Sequence, residues 1–175
     1  MQKSSYLIIA GLITLFLTTA CEKKASDKDQ IISGRLISNS ECKGLKSINL
    51  TSSTPDSISS VEYNYSASNN KLMLKHINAG FNCCPGNLTC DFRLNADTII
   101  IQEYEEAAQC HCNCLYDLEI EIDGVETKKY QIKFIEPYAV SMAPLIFELD
   151  LTSNISGSYS VIRKQYPWGI SNTKE

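Results

Sequence analysis

From residue 31 onward, the chain alternates apolar and polar residues in short runs that are separated by turn residues. The clearest run places Leu118, Ile120 and Ile122 on one face, with carboxylates between them. A period of two residues is typical of a β-strand with one buried face. Turn residues recur every 8–12 residues or so, and no segment after the N-terminal region shows a helical repeat of useful length. The pattern predicts an all-β fold, an antiparallel β-sandwich (immunoglobulin-like or related) of about eight to ten short strands.

Two short polar segments predict β-hairpins. Asn95-Ala96-Asp97 separates the alternating run at 88–94 from the apolar run at 98–104. Residues 66–70, which end in two asparagines, separate two further runs. Asn and Asp are common at such positions because they tolerate the left-handed backbone that tight turns require.

The first twenty residues are organised like the signal peptide of an exported protein. Lys3 supplies a positive charge, and residues 6–17 form an apolar run interrupted only by Gly11 and Thr14. A membrane-spanning helix needs about 20 apolar residues, so this shorter run fits a signal peptide better. Thr18-Thr19-Ala20-Cys21 resembles a bacterial lipobox. The resemblance implies cleavage before Cys21 and attachment of lipid, including palmitate, to Cys21; the alternatives are an ordinary secretory signal and an uncleaved anchor.

These features divide the chain into three parts. We expect a lipoprotein signal peptide at residues 1–20, a lipidated N-terminus and flexible tether at 21–30, and a single β-sandwich domain at 31–175. The tether is polar and charged, with Ala25 its only apolar residue after Cys21. Several acyl chains on one cysteine would hold the protein stably at a membrane. We therefore expect a lipid-anchored protein of the cell envelope, located at the outer membrane.

Composition and charge exclude two broad classes. Apolar residues make up 43% of the chain, which is enough for a buried core and argues against a disordered protein. The formal net charge is -4, and the basic residues are scattered rather than clustered. Binding to nucleic acid needs clustered Lys and Arg, so we expect no nucleic-acid partner.

Eight cysteines carry most of the chemistry that the sequence offers. An exported protein occupies a compartment in which disulfides form and persist. With Cys21 lipidated, seven remain, so at least one is free, bound to metal or paired between chains. The disulfide candidates are Cys42, Cys83, Cys84, Cys90, Cys110, Cys112 and Cys114.

Backbone geometry narrows the pairing without settling it. Cys83 and Cys84 are adjacent, so their Cα atoms lie about 3.8 Å apart, closer than the roughly 4.4–6.8 Å of a bridged pair. In an extended strand, alternate cysteines within residues 110–114 would project from one face. Each would then need a partner elsewhere, and Cys83, Cys84 and Cys90 are the natural partners.

A metal site is the alternative interpretation of the same residues. Cysteine and histidine bind zinc and copper, and both histidines of the chain lie in or beside the cysteine-rich stretches. The C-x-C-x-C spacing differs from the usual zinc spacing of about two to four intervening residues. The candidate ligands for Zn or Cu are His76, Cys83, Cys84, Cys110 and Cys112.

Catalytic motifs are missing from the sequence. Nothing matches a nucleophile elbow, a metalloprotease helix, a P-loop or a dinucleotide fingerprint, so we expect a non-enzymatic protein without a cofactor. Asp56-Ser57-Ile58 and Asp97-Thr98-Ile99 resemble the O-glycosylation motif of Bacteroidota envelope proteins. Ser57 and Thr98 are therefore candidate glycosylation sites.

Several motifs together resemble an uncharacterised family of small Bacteroidota lipoproteins. They are the segment 74–78, Phe81-Asn82-Cys83-Cys84-Pro85, the C-x-C-x-C run that continues into Leu115-Tyr116-Asp117-Leu118, and Tyr166-Pro167-Trp168. The resemblance implies a signal-anchored envelope protein and supplies no catalytic residues. We thus expect a disulfide-stapled cell-envelope lipoprotein with a binding or structural role, for which the sequence names no protein or glycan partner. Envelope metal binding is the alternative.

Overall fold

The computed structural model describes residues 30–43 and 57–168 of the chain. These residues form nine β-strands and no helix, so none of them lies in a helix that could cross a membrane. The predicted signal peptide, Cys21 and nearly all of the predicted tether lie outside the described residues. The strands are β1 (Ser33–Asn39), β2 (Ile58–Ser66), β3 (Lys71–Asn82), β4 (Leu88–Asn95), β5 (Thr98–Glu105), β6 (Asn113–Asp123), β7 (Lys129–Ile135), β8 (Ile146–Asp150) and β9 (Ser156–Ile162).

The strands form two sheets, as the alternating pattern predicts. One sheet has the order β1-β6-β3-β2-β9 and the other has the order β4-β5-β7-β8. The all-β sandwich is therefore confirmed, and nine strands fall within the predicted range. A wholly antiparallel arrangement is wrong at one place, because β5 and β7 pair in parallel. The intervening β6 belongs to the other sheet, so the chain returns to the second sheet running in its earlier direction.

Both predicted hairpins are present. β2 and β3 pair through a turn in which Asn70 has a φ of 52°, and β4 and β5 pair through a turn in which Ala96 has a φ of 50°. Left-handed backbone is ordinary for Asn but uncommon for a residue such as Ala96 that carries a Cβ. The turn after β6 needs its glycine, because Gly124 has a φ of 81° and a Cβ there would lie 2.4 Å from the Ile31 carbonyl oxygen.

The core lies between the two sheets. Leu118, Ile120 and Ile122 of β6 are completely buried, whereas Glu119 on the opposite face is exposed. Burying one such aliphatic side chain stabilises the fold by about 1.5–3 kcal/mol. At one side β1 lies close over β4, and a Cβ on Gly34 would come within 2.4 Å of the Phe92 ring.

A bulge in β3 separates the regular core from the cysteine-bearing end. The register of β3 against β6 shifts between His76 and Ala79, and Asn78 in this interval has a φ of 62°. After the bulge, residues 79–82 remain buried as β3 continues toward the cysteines. The bulge follows His76 and so does not set the inward direction of that side chain; it shifts the register of β3 while Asn82 stays paired with β6.

Candidate functional site

Two disulfides continue the β3–β6 ladder beyond its end. Cys83 is bonded to Cys112 and Cys84 to Cys110, with Cα–Cα distances of 5.6 and 5.5 Å. The Cys83 amide also donates to the Cys112 carbonyl at 2.9 Å. The predicted link between the stretch after Asn78 and the stretch before Leu115 is thus made twice. Cys110 and Cys112 precede β6 rather than forming part of it.

Asn82 holds the two cysteine segments in place. Its side-chain oxygen accepts from the amides of Cys84 and Cys110 at 2.9 and 3.2 Å, and its side-chain NH₂ donates to the Cys110 carbonyl at 2.7 Å. The Tyr116 hydroxyl donates to the Asn82 carbonyl at 3.0 Å. Asn82 is nearly completely buried, so these bonds satisfy polar groups that water does not reach.

The third disulfide joins Cys114 to Cys42, with a Cα–Cα distance of 5.8 Å. It anchors the segment after β1 to the start of β6, where the Lys43 amide also donates to the Leu115 carbonyl at 2.9 Å. The side chain of Lys43 pairs with Asp117 at 2.5 Å. A covalent bond and an ion pair therefore hold this segment against β6.

Cys90 was expected as a disulfide partner and is instead a free thiol. It lies on β4 in the second sheet, opposite Glu103 of β5, whereas the cysteines at 110–114 lie on β6 of the first sheet or directly before it. Burial raises the pKa of the Cys90 thiol, and the carboxylates of Glu103 and Asp91 raise it further. A half-buried thiol held in its neutral form is a poor nucleophile.

The structure does not bring the five predicted metal ligands together. Cys83, Cys84, Cys110 and Cys112 are all in disulfides, and His76 contacts other groups. In the described part of the chain, one cluster of three sulfurs has its atoms within 4.8 Å of one another, and it consists of Cys42, Cys83 and Cys114. Two of these sulfurs are bonded to each other and the third belongs to the neighbouring disulfide.

His76 belongs to a buried polar cluster that joins the two sheets. Its Nδ1 lies 2.7 Å from a carboxylate oxygen of Glu103, and its Nε2 lies 2.9 Å from the Ser59 hydroxyl. Glu136, just after β7, approaches Nε2 to 3.8 Å and is paired with the buried Arg163. No member of this cluster is more than 6% exposed. His76 of the first sheet and Arg163, which directly follows β9 of that sheet, therefore meet Glu103 of the second sheet and Glu136, which directly follows β7.

Arg163 and Trp168 close this end of the sandwich. The Arg163 guanidinium donates to Glu136 and to the Ala143 carbonyl, and it lies 5.4 Å from the centre of the Trp168 ring. The indole N–H of Trp168 donates to the Asn78 carbonyl at 2.6 Å. Gly80 faces the same ring, and a Cβ there would come within 2.4 Å of it. The C-terminal segment thus covers the buried charges.

The charges of the cluster determine its protonation. Burial lowers the pKa of His76, but the carboxylates of Glu103 and Glu136 outweigh burial and raise it overall. Burial raises the pKa of Glu136, which His76 and Arg163 lower only in part. As an imidazolium, His76 would donate to both Glu103 and Ser59. Three buried atoms have no hydrogen-bond partner among the described residues: Glu103 Oε2, Glu136 Oε1 and Arg163 Nε.

Ser59, His76 and Glu103 have the connectivity of a serine–histidine–carboxylate triad. In hydrolases such a chain activates the serine hydroxyl for attack on a substrate. Ser59 and His76 are both completely buried here, so a substrate cannot approach the hydroxyl in this conformation. The arrangement can hold a proton between the sheets.

Sequence reasoning missed most of this cluster, although a signal for it exists. Glu103, Glu136 and Arg163 each follow two inward-facing apolar residues at the same spacing, as His76 does. The preceding pairs are Leu72 and Leu74, Ile99 and Ile101, Ile132 and Phe134, and Tyr159 and Val161. Ionisable residues at the next inward position of four strands, two acidic and two basic, indicate a buried charge cluster.

The two candidate glycosylation sites differ in setting. Ser57 is half-buried beside β2, and its carbonyl accepts from the Arg163 amide at 2.8 Å. Thr98 begins β5 and lines an open groove of about 390 Å³ with Asp97 and Tyr130.

Comparison with known proteins gives no relative: no protein-family model, curated protein or solved structure matches this chain.

Proposed function

We propose that this protein is a lipid-anchored lipoprotein of the cell envelope, at the outer membrane, with a non-enzymatic binding or structural role. The observation that carries the proposal is the set of three disulfides at one end of the β-sandwich. Disulfides of this kind persist in oxidising compartments outside the cytoplasm. The signal-like N-terminus and the lipobox-like sequence before Cys21 support export and lipidation. The resemblance to small Bacteroidota lipoproteins agrees with both.

The positions of the two potential nucleophiles, Ser59 and Cys90, support a non-enzymatic role. Ser59 is completely buried, and Cys90 is a half-buried thiol whose pKa is raised by its surroundings. Ser59 lacks the access to substrate that a nucleophile needs, and Cys90 lacks the ionised form. A serine-reactive fluorophosphonate probe should therefore leave the folded protein unlabelled. Stoichiometric labelling at Ser59 would contradict this part of the proposal.

The lipid anchor is tested by expressing the full chain in a bacterium that processes lipoproteins. Alkyne-palmitate should label the wild-type protein and the Cys90→Ser variant, and both should partition into detergent with the membrane fraction. Cys21→Ser should lose the label and the partitioning. Cys90→Ser is the matched control because Cys90 forms no disulfide. A Cys21→Ser protein that still behaves as an integral membrane protein would contradict lipidation at Cys21.

Metal binding is the second candidate, and one observation favours it. The sulfurs of Cys42, Cys83 and Cys114 lie within 4.8 Å of one another, and tetrahedral zinc sites use thiolates at about 2.3 Å from the metal. Because these sulfurs are in disulfides, such a site would exist only in reduced protein. Stoichiometric zinc or copper in protein purified under reducing conditions, without added metal, would support this candidate. Folded, reduced and metal-free protein would contradict it.

A further inference from the structure

The Cys42–Cys114 and Cys83–Cys112 disulfides are neighbours in space. The sulfur of Cys83 lies within 4.8 Å of the sulfurs of both Cys42 and Cys114. Thiol–disulfide exchange occurs when a thiolate attacks a disulfide sulfur, and access to that sulfur limits the rate. If Cys83 were released from Cys112, its thiolate would already be placed beside a second disulfide.

The two ends of the Cys83–Cys112 bond differ in access. Cys112 is exposed, Cys83 is half-buried and Cys114 is only 6% exposed. An external thiolate therefore reaches Cys112 more easily than it reaches the other three sulfurs. Attack at Cys112 makes Cys83 the leaving group, and the released thiolate is held next to the buried disulfide.

We propose that these four cysteines form a thiol–disulfide exchange site, in which exposed Cys112 accepts an external dithiol and Cys83 passes the exchange inward to the Cys42–Cys114 bond. This inference goes beyond the anchored binding or structural role proposed above and does not depend on the lipid anchor.

The steps conserve atoms and electrons. The external thiolate forms a mixed disulfide with Cys112 and breaks the Cys83–Cys112 bond, which leaves Cys83 as a thiolate. Cys83 then bonds to Cys114 and releases the Cys42 thiolate, or bonds to Cys42 and releases Cys114. The second thiolate of the dithiol attacks the mixed disulfide, releases Cys112 and closes the dithiol into its own disulfide. The external dithiol is oxidised by two electrons, and the protein loses one of its three disulfides.

The Cys84–Cys110 disulfide provides an internal control. It lies beside the other pair in sequence, yet neither of its sulfurs belongs to a cluster of three within the described residues. A released Cys84 thiolate would therefore not lie within 4.8 Å of both sulfurs of a second disulfide, as a released Cys83 thiolate would. Releasing Cys83 should therefore lead to a new disulfide with Cys42 or Cys114, whereas releasing Cys84 should leave a free thiol.

The experiment compares Cys112→Ser with Cys110→Ser in the soluble domain, starting at Asp27. Both are held at about pH 8.5, where an ordinary thiol is about half ionised. The samples are then quenched with acid, alkylated without reduction and digested, and fragmentation between Cys83 and Cys84 assigns each link. In Cys112→Ser we expect Cys83 linked to Cys114 or Cys42, with the label gained at the cysteine left over. In Cys110→Ser we expect label at Cys84, with the other two disulfides unchanged.

The contrary results are equally definite. Full alkylation of Cys83 in Cys112→Ser, with Cys42–Cys114 intact, would overturn the proposal. Equal scrambling in Cys110→Ser would also overturn it, because the exchange would then be non-specific. If Cys112→Ser does not fold, wild-type protein treated with limiting dithiothreitol decides the matter. Peptides linking Cys83 to Cys114 or Cys42 would support the relay, and native links alone would exclude it.

Discussion

Arg163 is a buried cation whose partners are all internal. It pairs with Glu136 and donates to the Ala143 carbonyl. Replacing Arg163 with Met should leave Glu136 buried without its cation, and removing one partner of a buried pair costs about 3–5 kcal/mol. In Arg163→Met/Glu136→Gln, the buried acid is neutral, so part of the loss should be recovered. The free energies of unfolding from urea titrations test this. A loss below about 1 kcal/mol for Arg163→Met would mean that the pair contributes little.

His76 should make stability depend on pH. Its pKa is raised above 6.5 in the folded protein, so its contribution is complete below pH 6.5 and is lost as pH rises through the folded pKa. The raised pKa of Glu136 acts in the same direction, starting from pH 4.5. We therefore expect the wild-type unfolding free energy to fall with rising pH across this window. In His76→Gln the fall above pH 6.5 should be smaller. Chemical unfolding at several pH values measures both slopes, and equal slopes would exclude His76 as the cause.

The inward positions of the strands show what the sequence could reveal at this scale. Alternation correctly places residues such as Leu118 and Ile120 in the core, because hydrophobic burial follows the period of two. The same alternation puts Glu103 and Arg163 inward, but composition favours a solvent-exposed assignment for charged residues. Their oppositely charged partners lie far away in sequence, so the ion pairs that make burial of these charges possible can be identified only once the strands are assembled.

Two disulfides close nearly the same loop. Cys84–Cys110 spans 26 residues and lies inside Cys83–Cys112, which spans 29. In the chain-entropy model, closing a loop of this length stabilises the fold by about 3.5 kcal/mol. Because either bond keeps the loop closed, removing both members of one pair should cost less than about 1 kcal/mol, whereas removing all four cysteines should cost about 3.5 kcal/mol.

Thermal or urea unfolding of Cys84→Ala/Cys110→Ala, Cys83→Ala/Cys112→Ala and the fourfold variant measures this non-additivity. The Cys42–Cys114 pair is the comparison, because its loop of 72 residues encloses both of the others and neither of them closes it. Its removal should cost about 4 kcal/mol. Additive losses for the two nested pairs would show that each bond stabilises by something other than loop closure.

Local patterns predicted the hairpins but not the passage between sheets. The β4–β5 and β2–β3 hairpins follow from alternation and turn residues that lie close in sequence. The Asp123-Gly124 turn looks similar, yet β7 pairs with β5 and β8 rather than with β6. Sheet membership depends on packing between distant strands. For the same reason, the partner of Cys114 could not be read from sequence, and Cys42 occupies the place that was expected for Cys90.

For the whole molecule, the number of free thiols is a direct test of the disulfide pattern. Seven cysteines follow Cys21, and three disulfides leave only Cys90 reduced. The domain from Asp27 onward should therefore take up one alkyl group when denatured without reduction. In the folded state it should react slowly, because burial and nearby carboxylates keep the Cys90 thiol neutral. Intact mass reads both results.

The alkylation result also separates the two candidate functions. Four or more reactive thiols that appear only after a chelator is added would favour thiolate–metal binding over the stapled sandwich. Cys90→Ser serves as the control, because the denatured variant should then take up no alkyl group.

The residues that complete the interior lie near the C-terminal end of the described chain, and this position implies an order in which disulfides and buried charges form. All six bridged cysteines lie at or before residue 114, whereas Glu136, Arg163 and Trp168 follow them. A chain emerges N-terminus first from a ribosome or a translocation channel. All six bridged cysteines therefore emerge before the residues that neutralise and cover the buried charges. We therefore expect His76 and Glu103 to stay in contact with water until β9 has paired with β2 and Trp168 has packed over Gly80. Oxidation can precede burial, and the last segment to arrive completes the interior.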